Sequence, residues 1–87
     1  MEIVWTNNAL NSLDKNIDYL KKKWSYKDID NFLQIVDEKI TLLKQNPEIG
    51  TICEFKPTLR RLVITKHITL FYEIDTNNIF TSILVKL

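Results

Sequence analysis

The apolar positions of this chain change period once, and the change divides it into two parts. Leu10, Leu13, Ile17, Leu20 and Trp24 fall at steps of three and four residues. Ile29, Phe32, Val36, Ile40 and Leu43 repeat the pattern. Steps of that size place side chains on one face of an α-helix, so two amphipathic helices are predicted. After Gly50 the period falls to two. Leu59, Arg61, Val63 and Thr65 alternate with Arg60, Leu62, Ile64 and Lys66. Ile68, Leu70, Tyr72 and Ile74 alternate with Thr69, Phe71, Glu73 and Asp75. That alternation predicts β-strands, whose successive side chains face opposite ways.

The boundaries follow from local chemistry. Glu2 to Thr6 is β-branched and aromatic and reads as a short strand. Thr6 can cap a helix beginning at Asn7, its hydroxyl accepting a free N–H of the first turn. Ser25 opens the second helix, with Asp28 at capping-box spacing. Asn46-Pro47 ends it, because proline disfavours helical geometry in the residue before it. Pro47-Glu48-Ile49-Gly50 is expected to turn, with Gly50 free to take positive φ. The link around Trp24–Tyr26 is so short that the helices must fold back antiparallel. A turn at Thr76-Asn77-Asn78 leads to a last strand from Ile79 to about Lys86. The expected fold is α+β in a single domain over residues 1–87. It consists of an N-terminal strand, an antiparallel two-helix hairpin and a three-stranded antiparallel meander packed on the helices, in the order β-α-α-β-β-β.

Leu33, Ile35 and Leu42 widen the second apolar stripe beyond what one sheet face covers. Together with Trp24 they form either a partner-binding patch or additional core.

Composition narrows the function classes. The 87 residues carry a net charge of +1 and are 45% hydrophobic and 26% charged, values of an ordinary globular domain. So small a charge does not mark a general nucleic-acid binder. The single cysteine, Cys53, cannot form an internal disulfide, which suits a reducing cytoplasm. No signal peptide and no membrane-length apolar run is visible, so a cytoplasmic location is expected. One Cys and one His make no metal site, and one Gly makes no phosphate loop, so neither metal nor cofactor is expected.

What chemistry remains is basic. From Phe55 to Tyr72 the chain has Lys56, Arg60, Arg61 and Lys66 and no acid. Arg60 and Arg61 must point to opposite faces of their strand, and an outward guanidinium suits phosphate or carboxylate. Tyr72 either supplies a ring or hydroxyl to a ligand or belongs to the core face with Ile68, Leu70 and Ile74. His67 sits at the strand turn. The run Lys21-Lys22-Lys23 lies in the last turn of the first helix, where cations favour the dipole; a nucleic-acid contact is the alternative reading.

The element order, together with Trp5-Thr6-Asn7-Asn8-Ala9-Leu10, Asn46-Pro47-Glu48-Ile49-Gly50, Leu59-Arg60-Arg61-Leu62-Val63 and His67-Ile68-Thr69-Leu70-Phe71-Tyr72-Glu73-Ile74, resembles the RelE/ParE superfamily of bacterial type II toxins. The resemblance implies a small toxin held inactive by an antitoxin that wraps its sheet and helical hairpin. It also implies one of two targets. RelE-like members cut mRNA on the ribosome without metal, using basic residues on the sheet and near the C-terminus. ParE-like members block DNA gyrase. Arg60 stands about where RelE-like enzymes place a sheet lysine. Leu62 and Thr69 stand where further bases are expected, and Leu84-Val85-Lys86-Leu87 lacks Arg, His and Tyr. These departures favour a ParE-like binding inhibitor of gyrase over an enzyme. Target contact is then expected at Arg60, Arg61 and Lys66, and antitoxin contact at Trp24, Leu33, Ile35 and Leu42. The alternative is a ribonuclease in which Arg60, Arg61 and Lys66 hold the phosphate while Tyr72 or His67 orients the 2′-hydroxyl. Relatives commonly continue past the last strand, so a third reading is an attenuated toxin that only binds antitoxin.

Overall fold

In the computed structural model, which describes residues 2–66 and 68–85, the two periodicities become two layers. Strand β1 (Glu2–Trp5) leads into helices α1 (Asn7–Lys21) and α2 (Tyr26–Gln45). A single turn of 3-10 helix follows at Pro47–Ile49. Then come β2 (Thr51–Cys53), β3 (Lys56–Thr65), β4 (Ile68–Ile74) and β5 (Asn78–Val85). The five strands form one sheet in the order β1-β5-β4-β3-β2. The β2–β3, β3–β4 and β4–β5 pairs are antiparallel, and β1 runs parallel to β5. This is the expected α+β architecture with one addition. β2 is only three residues long, too short to show an alternation in sequence.

The register sorts the two faces. Arg60 lies opposite Tyr72 and Leu62 opposite Leu70, while Arg61 lies opposite Phe71 and Leu59 opposite Glu73. Even positions of β4 therefore face the helices. Ile68, Leu70 and Tyr72 are buried there against Leu20 of α1 and Phe32 and Leu43 of α2. Ile3 and Trp5 of β1 extend the same core. Among the described residues no helix packs across the other face of the sheet.

Both helix starts are capped as their sequences imply. The Ala9 N–H donates to Thr6 Oγ1 at 3.1 Å, and that hydroxyl donates onward to the Thr81 carbonyl at 2.8 Å. One side chain thus caps α1 and fastens it to β5. At α2, Asp28 N donates to Ser25 Oγ at 3.2 Å and Ser25 N to Asp28 Oδ2 at 3.3 Å, a reciprocal pair that satisfies two orphan donors.

One polar atom is out of place. Asn16 lies between Leu13 and Leu20 on the inner stripe of α1, and its Nδ2 is buried with no hydrogen-bond partner. An unsatisfied buried donor costs about 1–3 kcal/mol. Asn16→Leu is therefore expected to raise stability by about 1 kcal/mol, visible as a melting temperature about 4–8 °C higher. A lower melting temperature would show that the amide contributes more than its packing discloses.

Gly50 does not use its freedom to take positive φ. Its φ of −74° and ψ of 151° are ordinary extended backbone, and among the described residues none has positive φ. Space is the reason for glycine here. A Cβ would lie 2.5 Å from the Tyr72 hydroxyl, 2.7 Å from its ring and 2.9 Å from the Arg61 carbonyl.

Candidate functional site

The basic hairpin divides its cations between two jobs. Arg60 points toward the helix side, where its Nη1 donates to the Glu48 carbonyl at 3.2 Å and the Gly50 carbonyl at 2.9 Å. Those carbonyls end the 3-10 turn. The guanidinium therefore ties the connection after α2 down onto β3. Tyr72 completes the same knot from β4. Its hydroxyl donates to the Pro47 carbonyl at 2.7 Å and accepts from the Gly50 N–H at 2.8 Å. The side chain is only 1% exposed. Burial raises its pKa above the ordinary phenol value, partly offset by the Gly50 N–H and the Arg60 charge. Tyr72 is thus a neutral donor, oriented by the fold and closed to solvent.

The open face holds the rest. Arg61 is exposed there, next to Val63 on one side and Leu59 on the other. Lys56 is not a free cation, since its Nζ lies 2.8 Å from Glu73 Oε1. That pair corrects the picture of an uncompensated basic hairpin, because the first acid after Tyr72 neutralises the first base before Arg60. Thr58 also leans on Glu73, its hydroxyl 3.5 Å from Oε1. A shallow hollow of about 310 Å³ lies along this face, with Leu59, Phe71 and Phe80 on its walls and Lys56 and Glu73 at its rim. Phe80 is 37% exposed and Val63 59%. Phe71 and Phe80 were not singled out in sequence, although the alternation Thr69, Phe71, Glu73 already places Phe71 opposite the core.

Lys66 is far from this knot in function. It is exposed at the β3–β4 turn and lines a second groove, of about 380 Å³, with Trp24, Asp28, Phe32, Ile35 and Thr65. His67 lies outside the described residues. The expected constellation of Arg60, Arg61, Lys66 and Tyr72 is therefore not assembled at one place. Arg60 and Tyr72 meet at the turn, Arg61 faces outward, and Lys66 belongs to the helix-side groove.

The candidate partner patch is mixed in the same way. Leu33, Ile35 and Leu42 are exposed, at 38%, 37% and 44%. Trp24 is half-buried and packs edge-on against Phe32 with ring centroids 6.0 Å apart. It walls the groove and belongs to the core edge at once. Among the described residues no group of three or more His, Cys, Asp or Glu could hold a metal ion, and no helix is long and apolar enough to cross a membrane.

Comparison with solved structures finds the same fold in a YoeB/ParE toxin from Agrobacterium tumefaciens. It has a TM-score of 0.59 and 12% sequence identity, with 100% of this chain and 98% of that one covered. At that identity the likeness concerns architecture alone. No protein of curated function matches the sequence. A family model does: that of the ParE toxin of the type II toxin–antitoxin system parDE matches residues 3–85. The match takes in both helices and every strand but for Glu2 at the start of β1, and the chain belongs to the ParE toxin family of type II toxin–antitoxin systems.

Proposed function

We propose that this toxin stops growth by binding a cellular target, DNA gyrase, rather than by cutting RNA, and that a cognate antitoxin neutralises it. The observation that carries the reading is the knot at Gly50. RNA cleavage without metal needs a cation on the phosphate and a group that handles the 2′-hydroxyl, both free to meet substrate. The two residues best suited by type are committed elsewhere: Arg60 to two backbone carbonyls, Tyr72 to a buried pair of hydrogen bonds. What the open face offers is one exposed guanidinium among apolar side chains. That combination suits a protein surface, where arginine and aromatic anchors carry much of the binding energy.

The antitoxin surface in this reading is the outer side of α2. Leu33, Ile35 and Leu42 are apolar and uncovered there, and the groove beside Trp24 could seat one further side chain. Antitoxin and target then use different faces of the molecule.

Purified toxin is expected to inhibit gyrase supercoiling at micromolar concentration. Induced expression should halt DNA synthesis before protein synthesis. Arg61→Ala should fold normally and bind the target about tenfold more weakly, the effect of losing roughly 1.4 kcal/mol. Intact supercoiling together with ribosome-dependent mRNA cleavage would overturn the proposal in favour of the ribonuclease. Normal growth and intact supercoiling would instead leave a chain that only binds antitoxin.

A further inference from the structure

A second charged surface lies at the opposite end of the helices from the Gly50 knot. From Tyr19 to Lys27 the chain has four lysines and no acidic residue. Lys21 ends α1, Lys22 and Lys23 form the turn, and Lys27 sits in the first turn of α2. All four are exposed. The β3–β4 turn adds Lys66 to the same end, since Lys66 shares a groove with Trp24 and Asp28. Sequence separation hides this convergence, which only the folded hairpins produce.

None of the five lysines has a carboxylate within ion-pair distance among the described residues. The acid nearest in the chain, Asp28, has its carboxylate on the Ser25 N–H as a helix cap. Asp18 and Asp30 stand further along their helices. In a molecule of net charge +1, this tip thus gathers five lysines against one carboxylate, Asp28. Dipoles do not explain the excess, because the C-terminus of α1 and the N-terminus of α2 meet there and oppose one another.

We infer that this tip, formed by Lys21, Lys22, Lys23, Lys27 and Lys66, is a docking surface for the phosphate backbone of duplex DNA. Lysine is a flexible point charge suited to phosphate, and contacts to phosphate carry no sequence information. A single-strand site would need successive exposed rings on which bases stack. Here Trp24 is packed against Phe32, and Tyr19 lies beneath Lys23, whose Nζ is 5.1 Å from the ring centre. Only Tyr26, 83% exposed, is open. A membrane surface is held more firmly where apolar side chains insert beside the lysines; here Trp24 is packed against Phe32 and only Tyr26 is open to do so. Duplex backbone is what remains compatible with charge without a stacking platform. The binding is sequence-independent and would hold the toxin beside the DNA on which its target works.

The test uses the whole toxin and a short fluorescent DNA duplex, with anisotropy followed from about 50 to 200 mM salt. Wild type should bind with a log–log salt slope of about −4, as for four to five neutralised phosphates. The triple variant Lys21→Gln, Lys22→Gln, Lys23→Gln should flatten that slope by about 3, and Lys66→Gln by about 1. All four positions are exposed, so unchanged melting temperatures are expected and exclude misfolding as the cause. Unaltered binding by the triple variant would overturn the inference, as would no saturable binding by wild type at low salt. Preference for anionic phosphatidylserine vesicles over the duplex would overturn it too. No gyrase is present in the assay, so its outcome and that of the supercoiling experiment are independent.

Discussion

Replacing Gly50 with alanine is expected to destabilise the toxin by about 2–4 kcal/mol, a large part of what a domain of this size has to lose. The added methyl would sit 2.5 Å from the Tyr72 hydroxyl and 2.9 Å from the Arg61 carbonyl. The first is the end of a rigid ring held at both sides by hydrogen bonds, and the second is backbone in the middle of a strand. Neither can retreat without breaking something. If the turn moves away, Arg60 loses the Gly50 carbonyl. If the ring moves, two buried hydrogen bonds go with it. Urea unfolding measures the cost directly. A loss under about 0.5 kcal/mol, the range of an ordinary surface substitution, would mean the close approach is not rigid. A double-mutant cycle sharpens the test. Removing the hydroxyl with Tyr72→Phe takes away the nearest obstacle, so the alanine penalty should shrink in that background.

Tyr72→Phe alone should destabilise by about 1–3 kcal/mol, because it leaves the Gly50 N–H and the Pro47 carbonyl without their buried partner. The substitution has a second signature in alkaline solution. Burial, with a smaller contribution from Glu48, holds the folded phenol above its ordinary value, against the Gly50 N–H and Arg60. The neutral hydroxyl is therefore the form the fold prefers. Its stabilising effect is fully present below the unfolded value of about 10 and is lost as pH rises through the higher folded value. Phenylalanine cannot ionise, so unfolding free energy should decline less steeply with alkaline pH in the variant than in wild type. Equal slopes would show that Tyr72 ionises as readily folded as unfolded. The same variant bears on function. A binding toxin that still folds should keep its activity, whereas a ribonuclease relying on this hydroxyl would lose it.

Much of this architecture was legible in the chain because its signals are local. Apolar steps of three and four marked both helices, Thr6 and Ser25 marked their starts, and Asn46-Pro47 marked the end of the second. Strand alternation put Arg60 and Arg61 on opposite faces. It could not say which face the helices would cover, since that depends on register between distant segments. The same limit hid the knot. A glycine after Pro47-Glu48-Ile49 looks like a dihedral requirement, and nothing nearby in sequence announces that a tyrosine in β4 will press against it. Lys56 and Glu73 likewise become partners only through the pairing of β3 with β4. The convergence of Lys66 with the α1–α2 turn is a further consequence of folding two separate hairpins onto one core.

The pairing of the first strand with the last has a consequence for how the toxin is made. β1 finds its place only beside β5, and the Thr81 hydroxyl reaches the Val4 carbonyl across 77 positions of chain. During synthesis the helices can form early, from local contacts, while β1 waits without a neighbour until β5 has left the ribosome. Closing so long a loop is slow compared with forming helices and hairpins. The sheet that frames both the open face and the Thr6 fastening therefore closes only once β5 has been made.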